Sequence, residues 1–201
     1  MPRGPVSNEY YHTLSTQELD AILSKANTIG NYGISGAGWQ CYFTILRLFG
    51  KRVSEVIELR KNSVSVIDNY LNITFRIRKT RRTRPLIRTK QVNIKNPYVH
   101  YIVDYSDSMP DGYLFPSSGT KSGHIYREYA WKVCKLIDEN LFNHKFRHTL
   151  ATDLANKKIT AFEMQSFFDW ASLNMAAEYV QASGVSTQRI SDLGVESDDE
   201  K

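Results

Sequence analysis

Leu71-Asn72-Ile73-Thr74-Phe75-Arg76-Ile77-Arg78 places an apolar side chain at every second position with a polar or basic one between, the period of a strand with one buried face and one wet face. Further strand signals flank it. Val64-Ser65-Val66-Ile67 precedes it across the turn pair Asp68-Asn69, which reads as a hairpin, and a third strand is expected within Leu86–Ile94. Elsewhere the period is helical. Behind Ser15-Thr16-Gln17-Glu18, a capping box, Leu19, Ile22, Leu23 and Ala26 fall at i, i+3, i+4 and i+7. Trp39, Tyr42, Ile45, Leu46 and Phe49 make the buried stripe of a helix over Ala37–Phe49, closed by Gly50, and a short helix is expected at Val53–Leu59. Helices are also expected at Pro97–Ser106, Gly123–Glu139, Lys145–Asn156, Ala161–Trp170 and Leu173–Ala182. The fold class is therefore α+β, a mostly helical domain carrying one small antiparallel three-stranded sheet whose basic residues occupy its exposed side. Residues 1–14, with Pro2, Gly4 and Pro5, read as a flexible N-terminal arm, residues 15–183 as the domain, and residues 184–201 as a tail, acidic at its end.

The chain's 201 residues suit one ordinary domain, and 41% apolar with 12% aromatic residues excludes a disordered or low-complexity chain. No run approaches the roughly 18 apolar residues of a membrane span, and the N-terminus leads into polar sequence instead of a signal peptide, so no membrane partner and a cytoplasmic location are expected. Cys41 and Cys134 lie far apart with no Cys/His cluster beside either, which gives no support for a metal site or a disulfide framework.

Charge is unevenly spread. The formal net charge is +5, but Ser191–Lys201 holds five acids and one base, so the remainder carries +9. Arg76–Lys90 concentrates it, with Arg76, Arg78, Lys79, Arg81, Arg82, Arg84, Arg88 and Lys90 and no acid. A polyanion is the expected partner.

Several polar residues stand where local structure does not call for them. His144 and Arg147, three apart in a helical pattern, set an acid/base group beside a fixed cation. Arg52 opens a helix, where the macrodipole opposes a cation. Lys79 stands at the tip of the alternating strand, and Tyr179 follows Trp170 by nine residues. Singly, each has an ordinary explanation: a charged helix start, an Arg paired with Glu55 or Glu58, a solvated hairpin, a half-buried Tyr.

Their order and spacing are more specific. Gly50-Lys51-Arg52-Val53-Ser54-Glu55-Val56, then Lys79-Thr80, then His144-x-x-Arg147-His148-Thr149, then Trp170 and Tyr179, resembles the catalytic domain of the tyrosine recombinases, or phage-type integrases, over about Leu14–Ala182. The resemblance implies site-specific cleavage and rejoining of double-stranded DNA through a 3′-phosphotyrosyl intermediate, for integration, excision or resolution, with no metal, ATP or other cofactor. Tyr179 would be the nucleophile, Arg52 and Arg147 the phosphate clamp, Lys79 the acid for the leaving 5′-oxygen, and His144 an aid to proton transfer. Trp170 stands where many members have His, and Glu55 and His148 would support the site from behind. Arg76, Arg78, Arg81, Arg82, Arg84, Arg88, Lys90 and Lys145 would hold the DNA. The implied setting is a dimer or tetramer formed on DNA, in association with nucleoid, viral or plasmid DNA, with the tail either docking in trans on a neighbouring protomer or remaining a frayed terminus.

Three features depart from the family pattern. Asp169 stands where Gly often precedes the His/Trp position, and Lys79 is one base among many, with Lys90 a distant second for its role. Members usually carry an N-terminal DNA-binding domain, whereas about fourteen residues precede the first helix here, as in an excised or a minimal catalytic domain. The alternatives are nicking and swivelling as in type IB topoisomerases, and an inactive relative acting as a DNA-binding regulatory module.

Overall fold

The computed structural model describes residues 13–30, 32–77 and 86–184. The chain divides into two compact units, Met1–Leu150 and Ala151–Lys201. In the first, α1 (Thr16–Asn27), α2 (Gly36–Phe49) and α3 (Val53–Ile57) lead through a single 3-10 turn to β1 (Val64–Ile67), β2 (Tyr70–Ile77) and β3 (Leu86–Asn93). Two further helices, α4 (Val99–Ser108) and α5 (Arg127–Ile137), precede α6 (Asn143–Asn156), within which the first unit ends.

The capping box forms as expected: Ser15 Oγ accepts the Glu18 N–H at 3.2 Å and the Glu18 carboxylate accepts the Ser15 N–H at 2.7 Å. Leu14, assigned to the arm on composition, is core. It is buried, and its N–H donates to Thr149 Oγ1 at 2.9 Å.

Helix α2 is the centre of the first unit, with Trp39, Tyr42, Phe43, Ile45, Leu46 and Phe49 all buried. It starts hard against the end of α1, where a Cβ at Gly36 would lie 1.9 Å from the Asn27 carbonyl oxygen. Backbone cannot yield there as a side chain can. Gly36→Ala is therefore expected to cost about 1–3 kcal/mol of stability through overpacking, read by urea denaturation against Gly119→Ala, whose Cβ would meet nothing within 4 Å.

The sheet is antiparallel in the order β1-β2-β3. Leu71, Ile73, Phe75 and Ile77 are buried, as the alternation requires, and Phe75 lies 5.7 Å from Phe49 of α2. The expectation that the sheet's basic residues share its exposed side needs correction. Ile77 pairs with Leu86, Phe75 with Arg88 and Ile73 with Lys90, so Arg88 and Lys90 lie on the apolar face of β2, while Arg76 pairs with Ile87 on the opposite face. Directly paired residues share a face, so the register decides this, and the composition of one strand cannot.

Several helices are shorter than expected: the one at Ala161–Trp170 stops two residues early, at Phe168, the one at Leu173–Ala182 starts one residue late, at Asn174, and the shortening of α5 and α3 has identifiable causes. The expected start of α5 at Gly123 is four residues early, because Thr120 Oγ1 donates to the Ser117 and His124 carbonyls, holding Ser117–His124 as a closed loop in which Gly123 takes φ 76°. Helix α3 stops at Ile57, because Leu59 leaves to accept the Leu114 N–H at 2.8 Å.

The second unit contains α7 (Ala161–Phe168), started by a Thr160–Glu163 capping box, and α8 (Asn174–Ala182), packed on each other with Met164, Phe168 and Ala176 buried. Among the described residues no helix is long and apolar enough to cross a membrane.

Candidate active site

The turn that ends α2 organises the site of the first unit. Gly50 adopts φ 58°, the left-handed conformation that lets the chain leave the helix abruptly. Its carbonyl accepts a hydrogen bond from Nη1 of Arg147, a residue of α6 only 3% exposed. Two residues on, the Arg52 N–H donates to Glu55 Oε2 at 3.0 Å and its Nη1 donates to Glu55 Oε1 at 2.9 Å. A buried carboxylate thus offsets the cation that the start of α3 would otherwise disfavour. Glu55 is 3% exposed and Arg52 26%. This is no pair on a solvated face, because the carboxylate beneath Arg52 is almost fully buried.

Helix α6 sorts its opening residues by depth. Phe146 is buried and stacks on Phe43 at 5.2 Å, Thr149 is buried on Leu14, and His144 is exposed. Asn143 fixes the helix start, its Oδ1 accepting the Tyr42 hydroxyl at 3.0 Å and the Cys134 thiol at 3.4 Å. His148 is half-buried, and loss of solvent lowers its pKa from the ordinary His value. Arg52, Glu55 and His144 line one cavity of about 970 Å³.

In the second unit Tyr179 lies within α8, half-buried, its ring parallel to that of Trp170 at 5.6 Å and 6°. Trp170 in turn stacks on Phe168 at 4.5 Å. Gln165 holds the Trp170 backbone from both sides, its carbonyl accepting the Trp170 N–H at 3.1 Å and its side-chain amide donating to the Trp170 carbonyl at 3.3 Å. Between α7 and Trp170, Asp169 takes φ 53° and ψ 44°. That is the left-handed region, natural to Gly and tolerated by Asp, which accounts for the departure noted at this position.

A family comparison decides what this assembly belongs to. The model of the phage integrase family matches residues 12–184. The chain belongs to the phage integrase family. No curated protein matches this integrase-family chain. Among solved structures, it is similar to the XerH site-specific recombinase bound to a palindromic difH substrate, with TM-score 0.65 and 17% identity over 92% of this chain and 54% of that one. XerA recombinase gives TM-score 0.63 and 17% identity, over 93% and 67%. The catalytic domain of bacteriophage HP1 integrase gives TM-score 0.59 and 13% identity, over 94% and 98%. The chain spans about half the length of the XerH chains it matches, and these likenesses show a shared fold.

Not all the expected site residues gather at the cavity of this integrase-family chain. Lys145 lines a separate small hollow with Leu14, Glu18 and Asp138. Arg76, Arg88 and Lys90 sit on the sheet, divided between its faces, while Arg78, Lys79, Arg81, Arg82 and Arg84 lie outside the described residues. Sequence reading missed the other wall of the cavity, formed by Arg127, Trp131 and Lys132 of α5, and Lys51 beside Arg52. The signal for α5 was present. Ala130, Val133, Cys134 and Ile137 make its buried stripe and leave Arg127, Trp131 and Lys132 off it. Among the described residues no three His, Cys, Asp or Glu side chains come together as a metal site.

Proposed function

We propose that this chain cuts and rejoins double-stranded DNA at specific sites through a 3′-phosphotyrosyl link on Tyr179, without metal or ATP. The observation that carries the reading is the Gly50–Arg52 turn, which anchors the buried Arg147 and presents Arg52 from a buried carboxylate, so that two guanidinium groups depend on one short segment. Phosphoryl transfer is mainly a problem of placing charge, and fixed planar cations suit the non-bridging oxygens of a phosphorane-like transition state.

In the proposed reaction the Tyr179 hydroxyl oxygen attacks phosphorus and the bond to the 5′-oxygen breaks. Lys79 gives its proton to that oxygen, and His144 assists proton transfer at the nucleophile or steadies the phosphate. Trp170 lies flat on the Tyr179 ring and holds its orientation. Rejoining reverses these roles with a different 5′-hydroxyl. Because the phosphotyrosyl link keeps the energy of the phosphodiester, no nucleotide cofactor is needed. Self-association belongs to the DNA-bound state in this reading, and the protein resides with the DNA it recombines.

The test is a nicked suicide DNA substrate without divalent metal, resolved on a denaturing gel. A covalent protein–DNA band supports the reading and its absence opposes it. Relaxation of supercoiled circles without joining between sites would mark a nicking and swivelling enzyme instead. The acid has its own test. Lys79→Ala is expected to fail on ordinary DNA and recover on a substrate whose 5′-bridging oxygen is sulfur, because a thiolate leaves without a proton. An equal defect on both substrates would remove Lys79 from that role.

A further inference from the structure

Gly50, Lys51 and Arg52 are consecutive, yet each is tied to a different element. The Gly50 carbonyl holds Arg147 of α6, and Arg52 is held by Glu55 of α3. Lys51 places its Nζ 5.1 Å from the centroid of the Phe75 ring in β2. The Gly50 and Arg52 ties serve the proposed chemistry directly, and the Lys51 tie has no part in it so far.

The Lys51 tie is not what packing alone would select. Lys51 is 2% exposed and ranks with the largest fully buried side chains of the chain. Burying an ammonium group forfeits its hydration, and an apolar side chain of similar length would fill the same space without that cost. An aromatic face within about 6 Å of a desolvated cation returns part of the loss, and does so from one direction only. The ring is itself fixed, since Phe75 is buried and lies 5.7 Å from Phe49, the last residue of α2. Lys51 also lines the cavity that Arg52 and His144 line. A directional contact, set on a fixed ring and one residue from Arg52, suits the placement of a neighbour.

We propose that Lys51 is a positioning residue for Arg52, its buried ammonium on the Phe75 ring fixing the Gly50–Arg52 turn against β2 and so setting where the Arg52 guanidinium stands. The activity readout of this inference rests on the proposed strand cleavage; a spectroscopic readout does not.

The test compares Lys51→Met, Lys51→Arg, Phe75→Leu, Phe75→Tyr and the Lys51→Met/Phe75→Leu double variant. Single-turnover cleavage, DNA affinity, thermal stability and the NMR signal of the Arg52 side-chain Nε–H, assigned through Arg52→Lys, are measured for each. Lys51→Met should slow cleavage by about ten- to a hundredfold, the scale of a small misplacement at a reacting centre, with DNA affinity little changed. It should also shift or broaden the Arg52 signal. Lys51→Arg and Phe75→Tyr, which keep a cation and a ring, should restore both. Phe75→Leu should reproduce the Lys51→Met defect from the strand side, and the double variant should be no slower than either single one.

Wild-type cleavage with an unmoved Arg52 signal in Lys51→Met would overturn the proposal. So would equal defects in Lys51→Met and Lys51→Arg, or additive defects in the double variant. If the unmodified chain forms no adduct at all, the strand-cleavage reading falls, and the Arg52 signal alone decides the role of Lys51.

Discussion

Tyr179→Phe is expected to abolish the covalent protein–DNA adduct and leave DNA affinity nearly intact. The substitution removes one oxygen and keeps the ring, so the parallel stack on Trp170 at 5.6 Å survives and α8 keeps its packing. Among the described residues of the second unit, no other group offers the same arrangement of a half-buried hydroxyl-bearing ring on a helix, stacked on a second ring that Phe168 stacks on in turn. The measurement is the suicide-substrate gel, with a peptide map of the wild-type adduct. Attachment at Tyr126 or Tyr129 would overturn the assignment. Those two lie at the start of α5, their rings 6.1 Å apart, and the Tyr126 hydroxyl already accepts the Lys121 N–H at 3.0 Å. Retained affinity matters as much as the lost adduct. A variant that neither reacts nor binds would show only that α8 had been damaged.

What the sequence disclosed of this molecule depended on the range of the interactions involved. The strand at Leu71–Ile77 and the stripe of α2 were legible because each is a repeat within a single element, and Ser15–Glu18 and Gly50 because a cap is a local bond. The faces of Arg88 and Lys90 were not legible, since they follow from pairing across the sheet. The start of α5 was read four residues early because side-chain bonds from Thr120 claim residues that the apolar pattern assigns to the helix.

The candidate site divides along the same line. The order Arg52, His144, Arg147, Trp170, Tyr179 is a property of the chain and could be read directly. That Arg147 rests on the Gly50 carbonyl is a contact across space, invisible to spacing, whereas the pairing of Arg52 with Glu55 three residues on was legible and only the burial of Glu55 was not. Lys51 shows the limit most sharply. In sequence it is one more base in a basic chain, and only its burial on Phe75 sets it apart.

Arg52→Ala and Arg147→Ala are each expected to lower cleavage by about 10²–10³-fold, the usual loss when one preorganised donor to a developing oxyanion is removed. The two variants should nevertheless differ in stability, because their side chains are held differently. Arg147 is buried and donates to Gly50, so its loss leaves a buried carbonyl short of a charged donor and loosens the turn that carries Arg52. A cost of about 1–3 kcal/mol is expected. Arg52→Ala instead strands the Glu55 carboxylate, which is 3% exposed and keeps only the backbone N–H of residue 52 among its bonds to that residue. Adding Glu55→Gln to Arg52→Ala should therefore recover stability and recover no cleavage, since the neutral amide no longer needs the guanidinium while the phosphate still does. Arg52→Lys should fall between, keeping a charge and losing the planar fork. Urea denaturation and single-turnover cleavage on the same set separate the two functions. Near-wild-type cleavage by either Ala variant would remove that arginine from the clamp, and recovery of cleavage in Arg52→Ala/Glu55→Gln would mean that Arg52 serves only to neutralise its buried partner.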